Sequence, residues 1–119
     1  MAIFASRQIV MPVLSIAVTI TGSGDSSKCY AIINGTKQYS AGTHEVNAGD
    51  TITFGVFGYN TSVPGYVKID GTEVLRVTNS STKTYGWTVP NGISTVEIAM
   101  NYRSEGSRPN YGRITVTTA

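Results

Sequence analysis

The chain contains one histidine, His44, and one cysteine, Cys29, so few kinds of catalytic chemistry are open to it. A nucleophile activated by an imidazole would have to use His44, which lies in the short extended segment 42–46. We expect His44 to pack on or beside an edge strand instead. One histidine and one cysteine do not make a tetrahedral zinc site of the usual kind. Because Cys29 shares a face with Ala31 and Ile33, we expect it to be a small buried hydrophobe.

The seven acidic residues show neither a calcium-loop motif nor the carboxylate pair of a glycosidase. Asp50 and Asp70 occupy turn positions, where short polar side chains bond their own backbone. A calcium site assembled from separate loops stays open as an alternative. The turn glycines are not followed by a helix, which a phosphate-binding loop requires. The sequence therefore predicts a protein without enzymatic activity, cofactor or metal.

The composition argues against nucleic acid and membrane as partners. Charged residues make up 13% of the chain, with a formal net charge of +2, and the basic residues are scattered along it. Nucleic-acid binders usually cluster such charges on one face. The apolar run 9–20 follows Arg7 as in a signal peptide, but Pro12 interrupts it. The run is too short and too polar to span a bilayer, so we expect it to belong to the fold.

From Leu14 onward, apolar residues alternate with Thr, Ser and charged residues. This period of two is typical of half-buried antiparallel strands. Two tight hairpins are indicated by Asn34-Gly35 and Asp70-Gly71, because both dipeptides favour the turns that join two strands. The sequence predicts an all-β protein, a single Ig-like antiparallel β-sandwich over residues 13–119. Its large core residues would be Phe54, Trp87 and Tyr102.

Residues 1–12 are predicted to form an extended N-terminal arm, because apolar residues lie on both of its faces and Pro12 separates it from the first strand. At about 25 cal/mol per Å² of buried apolar surface, docking of the arm would supply several kcal/mol of association energy. The alternative is that the arm folds back as an extra strand of its own sandwich. The predicted interface residues of the arm are Ile3, Phe4, Ile9, Val10 and Met11.

Two loops combine the residue types that are favoured in recognition surfaces. One contains Tyr59 and Asn60, and the other is the polar segment 103–111. The alternative is that the tyrosines merely flank strands and pack on their neighbours. The predicted recognition residues are Tyr59, Asn60, Arg103, Arg108 and Tyr111.

Three segments carry a resemblance to small Ig-like proteins of tailed bacteriophages. They are GTHEVNAGDTIT at 42–53, YVKIDGTEV at 66–74 and YGRITVTT at 111–118. The piece VKIDG is also similar to the PEGA-type repeats of bacterial surface proteins. The resemblance covers most of the sandwich but not the arm, and neither family implies catalytic residues.

The phage resemblance implies a virion structural protein, a capsid decoration or tail accessory subunit assembled in the cytoplasm of a bacterial host. Its partners would be other virion proteins and copies of itself in a homo-oligomer, joined through the arm and the strand edges. The exposed loops would face host-surface glycans. The alternative is a binding module of a bacterial surface or secreted protein that recognises carbohydrate or protein through its loops.

Overall fold

The computed structural model describes residues 14–100 and 112–119, and in these ranges the chain forms ten β-strands. The predicted interface residues of the arm, Tyr102 and the segment 103–111 lie outside the described residues. The strands are β1 Ser15–Ser23, β2 Cys29–Ile33, β3 Thr36–Gln38, β4 Ser40–Asn47, β5 Thr51–Gly58, β6 Gly65–Ile69, β7 Thr72–Val77, β8 Ser81–Thr88, β9 Ser94–Met100 and β10 Gly112–Thr118.

The strands form two antiparallel sheets that pack face to face. The large sheet has the order β4-β1-β10-β9-β6-β7, and the small sheet has the order β3-β2-β5-β8. The chain crosses between the sheets at Tyr39, because β3 ends in the small sheet and β4 begins in the large one. The predicted all-β antiparallel sandwich is confirmed.

The alternating pattern places the predicted side chains in the core. Ile52, Phe54 and Val56 of β5 are at most 1% exposed. The Phe54 ring packs on Trp87 of β8 with 5.7 Å between ring centroids. Cys29 of β2 is fully buried as predicted, and its Sγ lies 3.5 Å from the carbonyl oxygen of Ile98. A period of two therefore identifies which face of each strand packs on the other sheet.

Both predicted hairpin turns are present. The turn between β2 and β3 has positive φ at Asn34 (52°) and Gly35 (78°), and the turn between β6 and β7 has positive φ at Asp70 (50°) and Gly71 (85°). Positive φ at both central positions is the geometry that matches the twist of paired strands. The extended segment expected at 42–46 is longer in the structure, where β4 runs from Ser40 to Asn47.

The Asp70 side chain does not bond its own turn, and that prediction is wrong. Its Oδ1 accepts a hydrogen bond from the backbone N–H of Thr95 at 2.8 Å, and its Oδ2 accepts one from Oγ of Ser94 at 2.8 Å. The β6–β7 hairpin is thereby fastened to the start of β9. The Asp50 side chain does bond its own turn, because its Oδ2 accepts from the N–H of Asn47 at 2.9 Å.

The strand registers define two ends of the sandwich. At one end, Met100 of β9 pairs with both Gly112 of β10 and Gly65 of β6. We call this the loop end, because the β1–β2, β5–β6 and β7–β8 connections lie there. At the opposite end, β1 begins at Ser15 opposite Asn47 of β4. We call this the arm end, because residues 1–13 join the sandwich there.

Candidate functional site

Four large hydrophobic side chains are exposed in the described part of the chain, and they divide by type between the two ends. Leu14 and Ile93 are 45% and 82% exposed, and both lie at the arm end. Tyr39 and Tyr59 are 41% and 50% exposed, and both lie at the loop end. Exposed aliphatic groups suit burial against a protein partner, whereas tyrosines also offer hydroxyl groups to a polar ligand.

At the arm end, Leu14 is tied to the sandwich through its backbone. Its carbonyl oxygen accepts a hydrogen bond from the N–H of Ala48 at 2.9 Å, although its side chain points to solvent. The next strand, β1, lies between β4 and β10 inside the large sheet. Leu14 therefore leads directly into an interior strand of the large sheet.

At the loop end, the Tyr59 loop is built by its own polar groups. The Asn60 Oδ1 accepts from the backbone N–H of Ser62 and of Val63, both at 2.9 Å. The N–H of Tyr59 donates to the carbonyl oxygen of Val63 at 3.0 Å, and the Val63 side chain is buried under the loop. Asn60 thus uses its side-chain carbonyl oxygen to shape the loop.

Two glycines hold the base of the Tyr59 loop. A Cβ at Gly58 would collide with the backbone of Val77, and a Cβ at Gly65 would collide with the backbone of Phe57. Strand β5 therefore approaches both β6 and β7 more closely here than side chains would allow. The Phe57 ring lies 6.5 Å from the Tyr59 ring, centroid to centroid. Tyr59 is consequently presented from a fixed base.

The other predicted recognition residues, Arg103, Arg108 and Tyr111, lie outside the described residues. The strand ends that flank their segment are described, and these are Met100 and Gly112. Both belong to the same end of the sandwich as the Tyr59 loop, since Met100 also pairs with Gly65.

A charged cluster that the sequence did not indicate lies on the outer face of the large sheet. The Tyr66 hydroxyl donates to Oε1 of Glu97 at 2.9 Å, and Arg113 lies 3.8 Å from Oε2 of the same carboxylate. Partial burial, and next the hydrogen bond to Glu97, raise the pKa of Tyr66. Beside this cluster is a shallow depression of about 550 Å³, lined by Lys68, Asp70, Gly71, Thr95 and Glu97. Pairing between neighbouring strands brings these residues together, so no local sequence motif predicts the cluster.

His44 and Cys29, the two residues considered for catalysis, do not lie in one site. His44 lies in β4, an edge strand as predicted, whereas Cys29 lies in β2 of the other sheet. Burial raises the pKa of the Cys29 thiol to about 12, so this cysteine is protonated at neutral pH. In the described ranges no three His, Cys, Asp or Glu residues are grouped so that they could hold a metal ion.

Residues 14–100 and 112–119 form no helix that is long and apolar enough to cross a membrane. Comparison of the chain with protein-family models, with curated proteins and with solved structures found no match in any of the three.

Proposed function

We propose that this protein is a non-enzymatic structural subunit of a virion, a capsid decoration or tail accessory protein, held at its arm end and displaying its loop end. The observation that supports this is the opposite placement of the two kinds of exposed side chain. Leu14 and Ile93 lie at the end where the described chain begins, and Tyr39 and Tyr59 lie at the other. A subunit attached at one end presents the other to its surroundings.

The sandwich suits this role, because its core is continuous. The core cluster joins both sheets and contains side chains from nearly every strand. The resemblance of the segments 42–53, 66–74 and 111–118 to phage Ig-like proteins points in the same direction. In this role the arm and the strand edges bind neighbouring subunits, and the loop end faces outward, where host-surface glycans are the expected contacts.

The alternative function is a binding module of a bacterial surface or secreted protein. The observation that favours it is the pair of exposed tyrosines on a loop end whose Tyr59 loop has a fixed base. Tyrosines supply a large contact area at a low cost in conformational entropy. Under this alternative the loop end binds the carbohydrate or protein ligand, and the arm has no role in self-association.

The experiment is a comparison of native masses by light scattering over a range of concentrations. The full chain is compared with a variant that lacks residues 1–11. It is also compared with a full-length variant in which Ile3, Phe4, Ile9, Val10 and Met11 are replaced by serine. A larger assembly for the full chain than for both variants supports the virion proposal. Equal masses for all three would contradict it and favour the binding module.

A further inference from the structure

Among the described strands, the four at the sheet edges differ in how well they are protected against pairing with another chain. β3 has only three residues. β7 carries an irregularity opposite Val67 and Lys68, and its exposed face carries the Glu73–Arg76 ion pair. β4 has one of its backbone acceptors occupied, because the Glu45 carbonyl oxygen accepts from Nδ2 of Asn34 at 3.0 Å. Short length, bulges, charges and covering groups are the usual means of blocking an edge.

The fourth edge strand, β8, is neither short nor interrupted by a bulge. It is eight residues long and pairs with β5 in unbroken register, from Thr51 opposite Thr88 to Gly58 opposite Ser81. It contains no proline, and Lys83 is its one charged residue. Within the described ranges its second edge has no strand partner. A long, regular and weakly charged edge is the kind that accepts another strand.

We propose that the partner of β8 is β8 of a second copy of this chain, paired antiparallel about a two-fold axis that passes beside Tyr85. This proposal rests on the assembly role proposed above and identifies the strand edge that takes part in it. The two small sheets join into one continuous sheet. A two-fold interface of this kind is closed, so it produces a dimer and not a fibre.

The charge pattern of β8 disfavours one register and is compatible with this one. Side chains that point into the core must stay on one side of the joined sheet, so residues opposite each other have numbers of the same parity. An axis at Lys83 would place the two lysines directly opposite each other, which is destabilising. An axis at Tyr85 keeps the two lysines apart, because each Lys83 then lies opposite Trp87 of the partner subunit.

The outer face of the joined strands is uncharged in this register. Thr82 lies opposite Thr88 of the partner subunit, and Thr84 lies opposite Gly86 of the partner subunit. Threonine pairs favour cross-strand contact. Thr82 and Thr88 are both exposed, so the monomer tolerates their replacement.

Two double variants test both the dimer and its register. In T82K/T88K every new lysine faces another lysine across the two-fold axis. In T82K/T88E every new lysine faces a glutamate. Each variant loses the same hydrogen bond, in which the Thr82 hydroxyl donates to the Ser27 carbonyl oxygen at 3.0 Å. Apart from their net charge, which is two units higher in T82K/T88K, the two variants differ only in which charges face each other across the axis.

Native mass is measured by light scattering for both variants in the full chain and in the chain that lacks residues 1–11, at low salt and at high salt. We expect a dimer of the truncated wild-type chain, tighter association of T82K/T88E and a monomer for T82K/T88K, with the contrast reduced by salt. Equal masses for the two variants, or a truncated wild-type chain that stays monomeric at its highest soluble concentration, overturn the proposal.

The two proposals fail separately in this design. Assembly that depends on residues 1–11 but ignores the charges at 82 and 88 leaves the virion proposal standing and rejects the β8 interface. A dimer that responds to the charges but not to the truncation supports the β8 interface and rejects the virion proposal.

Discussion

The ring of Tyr30 lies against the backbone of Gly55 on the outer face of the small sheet, where the two residues are cross-strand partners. Tyr30 alternates with the core residues Cys29 and Ala31, so its side chain points away from the core, yet it is only 6% exposed. The glycine gives the ring room to lie flat, and the Lys37 ammonium group lies over it at 4.5 Å from the centroid. Aromatic side chains commonly cover strand glycines in this way.

Gly55→Ala should lower the free energy of unfolding by about 1–3 kcal/mol, because the new methyl group must displace the Tyr30 ring. Gly86→Ala is the matched control, since the nearest atom to a Cβ there is Cγ2 of Thr51 at 3.7 Å. We expect the control to change stability by no more than about 0.5 kcal/mol. Urea unfolding followed by Trp87 fluorescence measures both. Equal losses in the two variants would contradict the close packing of Tyr30 on Gly55.

The alternation of the sequence was sufficient to predict the faces of the strands but not their neighbours. Ile52, Phe54 and Val56 follow directly from a period of two. The place of β1 between β4 and β10 does not, because any strand with one apolar face fits the same pattern. The burial of Tyr30 was equally hidden, since it depends on a glycine 25 residues away that only the register reveals.

Only the parts of the candidate site that depend on contacts within one loop could be predicted from the sequence. The Asn60 turn and the exposure of Tyr59 lie within one loop, and the sequence indicates a loop there. The close approach at Gly58 and Gly65 requires the packed sheets, as does the meeting of Tyr66 with Glu97 across two strands. The hydrogen bonds that Asp70 accepts come from residues 24 and 25 positions further along the chain. Its turn position alone therefore predicted hydrogen bonds from the turn's own backbone, whereas the donors to Asp70 are Ser94 and Thr95.

Asp70 should make the protein less stable in acid. Its hydrogen bonds from Thr95 and then from Ser94 hold the pKa of this carboxyl below its ordinary value of 3.8. A group with a lowered pKa in the folded state stabilises the fold above its unfolded pKa, and that contribution is lost as the pH falls through the folded pKa. The loss should therefore begin near pH 3.8 and grow below it.

Unfolding midpoints in urea at pH 7 and at successive values below pH 4 measure this effect. Asp70→Asn should be less stable than the wild type at pH 7 and should lose less on acidification. Ser94→Ala removes one of the two donors and should give an intermediate difference. A wild type and an Asp70→Asn variant whose midpoints fall in parallel would show that Asp70 makes no contribution to the acid response.

The loop end should tolerate changes at its exposed tip but not at its base. Tyr59→Ala removes a half-exposed ring and its contact with the Phe57 ring, so we expect a loss of about 0.5–1.5 kcal/mol in the free energy of unfolding. Gly58→Ala forces a methyl group into the backbone of Val77, and we expect a loss of at least about 2 kcal/mol. Thermal unfolding of both variants distinguishes tip from base. Comparable losses would mean that Tyr59 is a packing residue, which is the alternative to a role in recognition.

Cys29 should resist thiol reagents until the protein unfolds. Its side chain is fully buried, and burial raises its pKa to about 12, so the reactive thiolate is scarce at pH 8. We expect no labelling of the native protein by a chromogenic disulfide reagent on the time scale in which the urea-unfolded chain reacts completely. The contribution of Cys29 to stability should be lost as the pH rises above the ordinary thiol pKa of 9.0, since only the unfolded thiol then ionises.

The labelling rate of Cys29 also reports local opening at the loop end, because Cys29 lies beside Gly112 there. Faster labelling of Gly58→Ala than of Gly55→Ala at matched overall stability would locate such opening at the loop end. Complete labelling of the native wild type within minutes would contradict the burial of Cys29.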